Sequence, residues 1–85
     1  MFDIKLTPKG AKDLEKLSKE LQQRIVKKLT FFSNQENPVA FAKPLVNLPP
    51  ATHRFRVGDY RIAFYIDKNT IYVERVRHRK EVYLP

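Results

Sequence analysis

Thirteen consecutive residues, from Arg54 to Ile66, constrain the fold more than any other part of the chain. They read RFRVGDYRIAFYI, with apolar and polar residues alternating on both sides of Gly58-Asp59. Alternation with a period of two is typical of a strand that buries one face. A glycine-containing pair between two such runs favours a two-residue turn. The segment therefore predicts a β-hairpin in which Val57 lies opposite Tyr60.

The N-terminal part predicts a short strand followed by two helices. Apolar residues alternate from Phe2 to Leu6, and Thr7-Pro8 is typical of an N-cap followed by proline at the first helical position. Ser18 can cap a second helix, although nothing there forces a break and one bent helix is an alternative. We prefer a helical hairpin. Its apolar stripes are Ala11, Leu14 and Leu17, then Leu21, Ile25, Leu29 and Phe32.

The remaining segments complete one domain, residues 1–85. Residues 34–50 hold four prolines, which disfavour regular structure, and several apolar residues that we expect to pack on the domain. A third strand of the C-terminal meander begins at Ile71. The element order is thus β-α-α-β-β-β. It predicts an α+β fold, in which an N-terminal helical hairpin packs on one face of an antiparallel sheet.

The composition limits compartment and cofactor. The chain has no cysteine and only two histidines, so neither disulfides nor a structural zinc site are expected. The N-terminus lacks the apolar run of a signal peptide, and no stretch approaches the ~20 apolar residues of a membrane span. We expect a cytoplasmic protein with no membrane partner and no small-molecule cofactor.

The charge is strongly positive and unevenly arranged. The net charge is +8; the first fifty residues carry eight lysines and one arginine, and the last thirty-five carry six arginines and two lysines. A basic field attracts nucleic acid, anionic lipid or acidic protein. Arginine holds phosphate in a bidentate fork and stays charged at neutral pH. The C-terminal third is therefore a candidate phosphate-binding surface.

The predicted hairpin register places three arginines on one open face. Arg56 falls opposite Arg61, with Arg54 beside them, while Phe55, Val57, Tyr60 and Ile62 share the face under the helices. Like charges that lie opposite each other destabilise a sheet. The plain alternative is three solvated side chains, but the crowding favours a functional cluster.

The next hairpin extends this face. With Ile66 opposite Ile71, Tyr65 lies opposite Tyr72 and Ala63 opposite Glu74, so that both tyrosines, Glu74 and Val76 join the open face. Exposed aromatics beside arginines suit base stacking, although tyrosine is also common in strands. Strict alternation would send three further arginines into the core. A β-bulge or an early strand end near Arg75 is therefore expected.

The C-terminal residues supply candidate proton carriers. Histidine is the side chain type whose unperturbed pKa lies nearest neutrality, which makes His78 a candidate, and Tyr83 can act similarly if cations lower its pKa. Either side chain can equally be an ordinary surface residue. No other enzyme class is indicated, since the only two glycines rule out a glycine-rich phosphate loop and the scattered carboxylates form no obvious Mg²⁺ pair.

The runs RFRVGDYRIAFYI and RHRKEVY (residues 77–83), with KPL at residues 43–45, resemble the RelE/ParE toxin superfamily. The resemblance covers essentially the whole chain. It implies an endoribonuclease toxin that cleaves mRNA, commonly in the ribosomal A site, by attack of the 2′-hydroxyl on the adjacent phosphate. Because the carboxylates form no obvious Mg²⁺ pair, we expect this cleavage to be independent of metal. An acidic, RelB-like antitoxin would be its protein partner.

The resemblance also implies roles for individual residues. Arg54, Arg56 and Arg61 match the strand cations, Arg79 the later arginine and Tyr83 the tyrosine. Well-known members carry lysine at the positions of Arg54 and Arg56. Since arginine cannot transfer protons as lysine can, Tyr83 and His78 are the expected proton carriers. The RNA contacts are expected to include Arg77, Lys80, Tyr65 and Tyr72.

Two alternatives remain open. The first is the ParE branch, which shares the fold but inhibits DNA gyrase. Its members usually lack the C-terminal arginine with a tyrosine or histidine that this chain has. The second alternative is a protein with the toxin fold that acts only by binding its antitoxin or the ribosome.

Overall fold

The computed structural model describes residues 1–82, which form one α+β unit in the predicted order. Three short elements were not predicted: a 3-10 helix and a strand before the hairpin, and a C-terminal helical turn. No helix in residues 1–82 is long and apolar enough to cross a bilayer. The elements are β1 (Asp3–Leu6), α1 (Pro8–Glu15), α2 (Lys19–Ser33), a 3-10 helix (Pro38–Phe41), β2 (Lys43–Pro44), β3 (His53–Val57), β4 (Tyr60–Asp67), β5 (Thr70–His78) and α3 (Arg79–Val82).

The two helices begin at the predicted caps. The Thr7 hydroxyl accepts a hydrogen bond from the Gly10 amide at 3.2 Å, and the Ser18 hydroxyl accepts one from the Leu21 amide at 3.2 Å. Each cap satisfies an amide that the first turn of a helix leaves without a partner. The preferred hairpin, and not the single bent helix, is therefore confirmed.

The sheet is mixed, and the purely antiparallel prediction needs one correction. Its strand order is β1-β5-β4-β3-β2, and β1 runs parallel to β5, with Asp3 beside Thr70 and Leu6 beside Val73. The other neighbours are antiparallel. A period of two identifies a strand but not its neighbour or its direction, which is why the alternation from Phe2 to Leu6 did not reveal the parallel pairing.

The first hairpin has the predicted register. Val57 lies opposite Tyr60 and Arg56 opposite Arg61, and Gly58 occupies the turn at φ +59°, a conformation that glycine adopts without strain. Phe55 is fully buried on the face beneath the helices. Because side chains alternate along a strand, Arg54, Arg56 and Arg61 lie on the opposite face.

The expected irregularity near Arg75 is a β-bulge. Phe64 pairs with Val73 and Ala63 with Arg75, which leaves Glu74 as the extra residue. The predicted pairing of Ala63 with Glu74 is therefore wrong. So is the open-face position of Val76, which lies opposite Ile62 and is 3% exposed.

A column of stacked aromatic rings connects α2 to the sheet. Phe32 stacks on Phe55 with ring centroids 4.1 Å apart, and Phe55 stacks on Phe64 at 4.0 Å. On the other face, the connection after β2 packs on Ala63, as expected from its apolar residues. This smaller cluster contains Leu45, Leu48, Ala51 and Ala63. Val46 does not join it and is largely exposed.

Candidate nucleic-acid interface

Four cations and one aromatic ring line a cleft beside the first hairpin, which we call the cationic cleft. Its volume is about 140 Å³. None of the described residues that line it is acidic. The lining residues are Phe41, Lys43, Arg54, Arg56 and Arg61.

Strand pairing brings the four cations together. Lys43 of β2 lies beside Arg54 of β3, and Arg56 of β3 lies opposite Arg61 of β4. The Arg61 guanidinium donates from Nη1 to the Gly58 carbonyl at 3.2 Å and to the Tyr60 carbonyl at 3.3 Å. Arg54 Nη1 donates to the Pro44 carbonyl at 3.4 Å. These contacts with main-chain oxygen orient the two guanidiniums.

The electrostatics of the cationic cleft favour an anionic ligand. Within residues 1–82, neither Arg56 nor Arg61 forms an ion pair. Cations placed opposite each other repel, at a cost within the range of about 0.2–1 kcal/mol for cross-strand pairs. A phosphate group would relieve that repulsion and accept charge-assisted hydrogen bonds from the guanidiniums.

Three more of the predicted basic residues lie near the first hairpin. The bulge places Arg77 directly opposite Arg61. Arg79 starts α3, where its amide donates to the Asp59 carbonyl at 2.7 Å and its Nε lies 3.8 Å from Asp59 Oδ1. Lys80 is exposed on the same turn. Arg79 is thus tied to the turn that also orients Arg61.

His78 lies apart from the cationic cleft. Its ring packs edge-on against Tyr60 with centroids 5.5 Å apart, and its Nδ1 accepts a hydrogen bond from the Lys80 amide at 3.2 Å. It lines a second cleft, beside α1, which includes Asp13, Lys16 and Glu81. Tyr83, the other expected proton carrier, lies outside the described residues.

The two tyrosines of the open face stack on each other. The rings of Tyr65 and Tyr72 are 5.0 Å apart and 15° from parallel. Tyr65 is four residues from Arg61 along β4, about 13 Å at the usual rise of a strand. Ala63 lies between them beneath the apolar cluster of the connection. The structure therefore separates the tyrosine pair from the cationic cleft.

A partly buried ion pair, which sequence reasoning did not predict, holds α1 against β5. Asp13 Oδ2 accepts from Arg75 Nε at 2.8 Å and from the Val76 amide at 3.0 Å. Burial raises the pKa of Asp13, but the hydrogen bonds from Arg75 and Val76, with the nearby Arg75 and Arg77 charges, outweigh burial and lower it below its ordinary value. Asp13 is therefore charged at neutral pH and fixes the edge of β5 beyond the end of β1.

Sequence reasoning also missed two residues of the cationic cleft itself, Phe41 and Lys43. Both precede β3 in a proline-rich connection whose path the sequence does not specify. Lys43 belongs to the KPL motif, which was the only available signal. Phe41 carried none, because an isolated phenylalanine in a loop is ordinarily a packing residue.

A helical hairpin on one face of this five-stranded sheet defines a toxin of the RelE/ParE superfamily. The chain belongs to the family described as "ParE toxin of type II toxin-antitoxin system, parDE", whose model matches residues 4–83.

Two relatives share 29% identity with the chain. Toxin RelG of Mycobacterium tuberculosis aligns over 84 residues, 96% of this chain and 95% of the relative. The toxin–antitoxin complex RelBE2 of the same organism contains a chain that matches with a TM-score of 0.72, covering 92% of this chain and 98% of that one.

A solved ParDE system shares the fold at lower identity. The chromosomal ParDE system of P. aeruginosa matches with a TM-score of 0.65 at 16% identity, covering 92% of this chain and 96% of that chain. The protein is therefore a type II toxin of the RelE/ParE superfamily, and names from both branches occur among its relatives.

Proposed function

We propose that this toxin is an endoribonuclease that cleaves mRNA, in the cytoplasm and at the ribosome. The observation that carries the proposal is the cationic cleft. Three arginines and a lysine converge on a space about 140 Å³ in volume that no described acidic residue lines. Such an arrangement destabilises the isolated sheet and stabilises a bound phosphodiester.

The proposed chemistry is transfer of the phosphoryl group within RNA. The 2′-hydroxyl attacks the adjacent phosphorus, the bond to the 5′-oxygen breaks, and the products are a 2′,3′-cyclic phosphate and a 5′-hydroxyl. Negative charge accumulates on the non-bridging oxygens of the pentacoordinate transition state. Arg61 and Arg56, held on opposite positions of adjacent strands, would donate hydrogen bonds to those oxygens, where preorganised donors are most effective.

Proton transfer requires a different residue type. The 2′-hydroxyl must lose a proton and the 5′-oxygen must gain one, and arginine does neither at neutral pH. Lys43 is the one residue of the cationic cleft, as described, that has the chemistry for proton transfer. Tyr83 remains a candidate by its family position. His78 lines the second cleft, so a catalytic role for it would require RNA to reach that side.

The direct test is cleavage by the purified toxin. It is incubated with mRNA, with and without ribosomes, and the new ends are mapped by primer extension and by their terminal phosphates. Cyclic phosphate and 5′-hydroxyl ends are expected. Cleavage of naked RNA should persist in EDTA, because residues 1–82 contain no group of three potential metal-ligating side chains. Intact RNA in both mixtures would contradict the proposal.

Inhibition of DNA gyrase is the second candidate, because the matching family model describes ParE toxins. A supercoiling assay with purified gyrase separates the two functions. Loss of supercoiling together with intact RNA would establish the gyrase reading and reject the nuclease.

The proposed protein partner is an acidic antitoxin. The similar structure from Mycobacterium tuberculosis is a toxin–antitoxin complex. A +8 chain attracts an acidic segment that folds as it binds. We propose that this segment covers Arg54, Arg56 and Arg61 or displaces the tail with Arg79 and Tyr83.

A further inference from the structure

Phe41 presents an aromatic ring to the cationic cleft. Its residue surface is 48% exposed. The same ring lines the cleft with Arg54, Arg56 and Arg61. An exposed aromatic ring beside phosphate-binding cations is the combination that single-stranded RNA recognition uses.

The ring is held in place from the side of α2. Phe31 contacts it edge-on, with centroids 5.8 Å apart at 83°, and Phe32 lies 5.9 Å away at 44°. Phe32 in turn stacks on Phe55 in the core. Pro38, at the start of the same 3-10 helix, is fully buried and anchors the segment. The Phe41 ring is thus ordered before any ligand arrives, which lowers the entropic cost of stacking on it.

We infer that Phe41 is the nucleobase platform of this toxin, stacking the base of a nucleotide whose phosphate lies between the arginines. This inference rests on the proposed function. It also moves the stacking role away from Tyr65 and Tyr72, whose faces are already stacked on each other. The platform is sequence-tolerant, since every base offers a π-face.

Phe31 provides a matched control. It is 47% exposed, belongs to the same ring cluster and contacts Phe41, but it is not among the residues that line the cationic cleft. A general apolar surface, such as an antitoxin would cover, predicts similar effects of removing either ring. A base platform predicts that removing Phe41 weakens RNA binding far more than removing Phe31, which contacts the Phe41 ring but does not line the cationic cleft.

The test measures the affinity of the full-length toxin for a short RNA in which 2′-O-methyl groups prevent cleavage. Phe41→Ala should weaken binding by about 5- to 150-fold, the range reported for loss of one base–aromatic stack. Phe41→Tyr should bind like the wild type, and Phe31→Ala should weaken binding much less than Phe41→Ala, because it removes one support of the Phe41 ring but not the ring itself. Removing single bases along the RNA should abolish the Phe41→Ala effect at one position. Arg56→Ala tests the proposed function separately, because it removes a cation of the cleft and leaves Phe41 in place.

Each result has a defined meaning. If Arg56→Ala weakens binding and Phe41→Ala does not, the platform is rejected and the proposed function stands. If neither change matters, both are rejected. An effect of Phe41→Ala that persists with every abasic RNA also rejects the platform, as does a loss of antitoxin affinity alone. Should Phe41→Ala fail to fold, Phe41→Leu keeps the apolar contacts and carries the same test.

Discussion

Arg61→Ala should lower the cleavage rate by on the order of 10²-fold or more, as expected for losing a preorganised donor to the transition state. Arg61→Lys should recover part of the rate, because it restores the charge without the two-pronged guanidinium. Single-turnover cleavage of the mapped mRNA site measures both. Lys12→Ala, an exposed change on α1, removes the same charge and should cleave normally. Full activity of Arg61→Ala would reject the cationic cleft as the catalytic site.

Single residues were predictable where a short turn determined the register. A two-residue turn at Gly58-Asp59 leaves one pairing, so Arg56 opposite Arg61 followed from the sequence and is observed. The position of His78 did not follow, because the extra residue Glu74 shifts everything after it. With the bulge, His78 lies opposite Tyr60 and Arg77 opposite Arg61. The alternation predicted some irregularity here, but no residue marked its exact place.

Asp13→Asn should destabilise the fold at neutral pH by about 1–3 kcal/mol, since Arg75 loses its charged partner. The pKa of Asp13 is lowered in the folded chain. Its contribution is therefore complete above the unfolded value of about 3.9 and is lost as pH falls through the folded value.

Urea unfolding at neutral and acidic pH tests the direction of this pH dependence. The wild type should lose stability on acidification more steeply than Asp13→Asn. The exposed neighbour change Glu15→Gln should retain the wild-type slope. Equal slopes for the wild type and Asp13→Asn would exclude Asp13 as a source of acid sensitivity.

Helices were predictable where the capping residues and the apolar period indicated the same element. Thr7-Pro8 and Ser18 marked both helix starts, and the structure begins α1 and α2 directly after them. The strand β2 could not be predicted, because it consists of Lys43 and Pro44 alone. Proline also argues against a strand except at a sheet edge, and β2 is one of the two edge strands. The alignment of Lys43 with Arg54 therefore had to come from the structure.

Gly10→Ala should destabilise the contact between α1 and β5. A Cβ atom at position 10 would overlap the Val73 carbonyl oxygen, the same atom that accepts from the Thr7 amide at 3.0 Å. Overpacking of this kind typically costs about 1–3 kcal/mol.

The free energy of unfolding in urea measures that cost. Lys9→Ala, on the exposed surface of the same helix, should stay within about 0.5 kcal/mol of the wild type. A Gly10→Ala protein as stable as the wild type would mean that α1 can move away from β5 without loss.

The whole molecule is a basic body whose charge should control how fast it meets partners. With a net charge of +8, association with an acidic antitoxin is expected to be fast at low ionic strength and slower as salt rises. Stopped-flow mixing at two salt concentrations measures the rate. Lowering the charge with Arg56→Ala should reduce the salt dependence. A rate that is the same at both salt concentrations would argue against steering.

The parallel pairing of β1 with β5 has a consequence for how the nascent chain folds. β5 lies between β1 and β4, and its Ile71, Val73 and Val76 are core residues, yet it is the last of the described strands to be synthesised. Until β5 has been translated, β1 has no strand to pair with, and the stacked aromatic rings can pack only on an incomplete sheet. The interior position of the sheet between β1 and β4 is therefore filled after the other described strands have been made, and β1 can join the sheet only through β5.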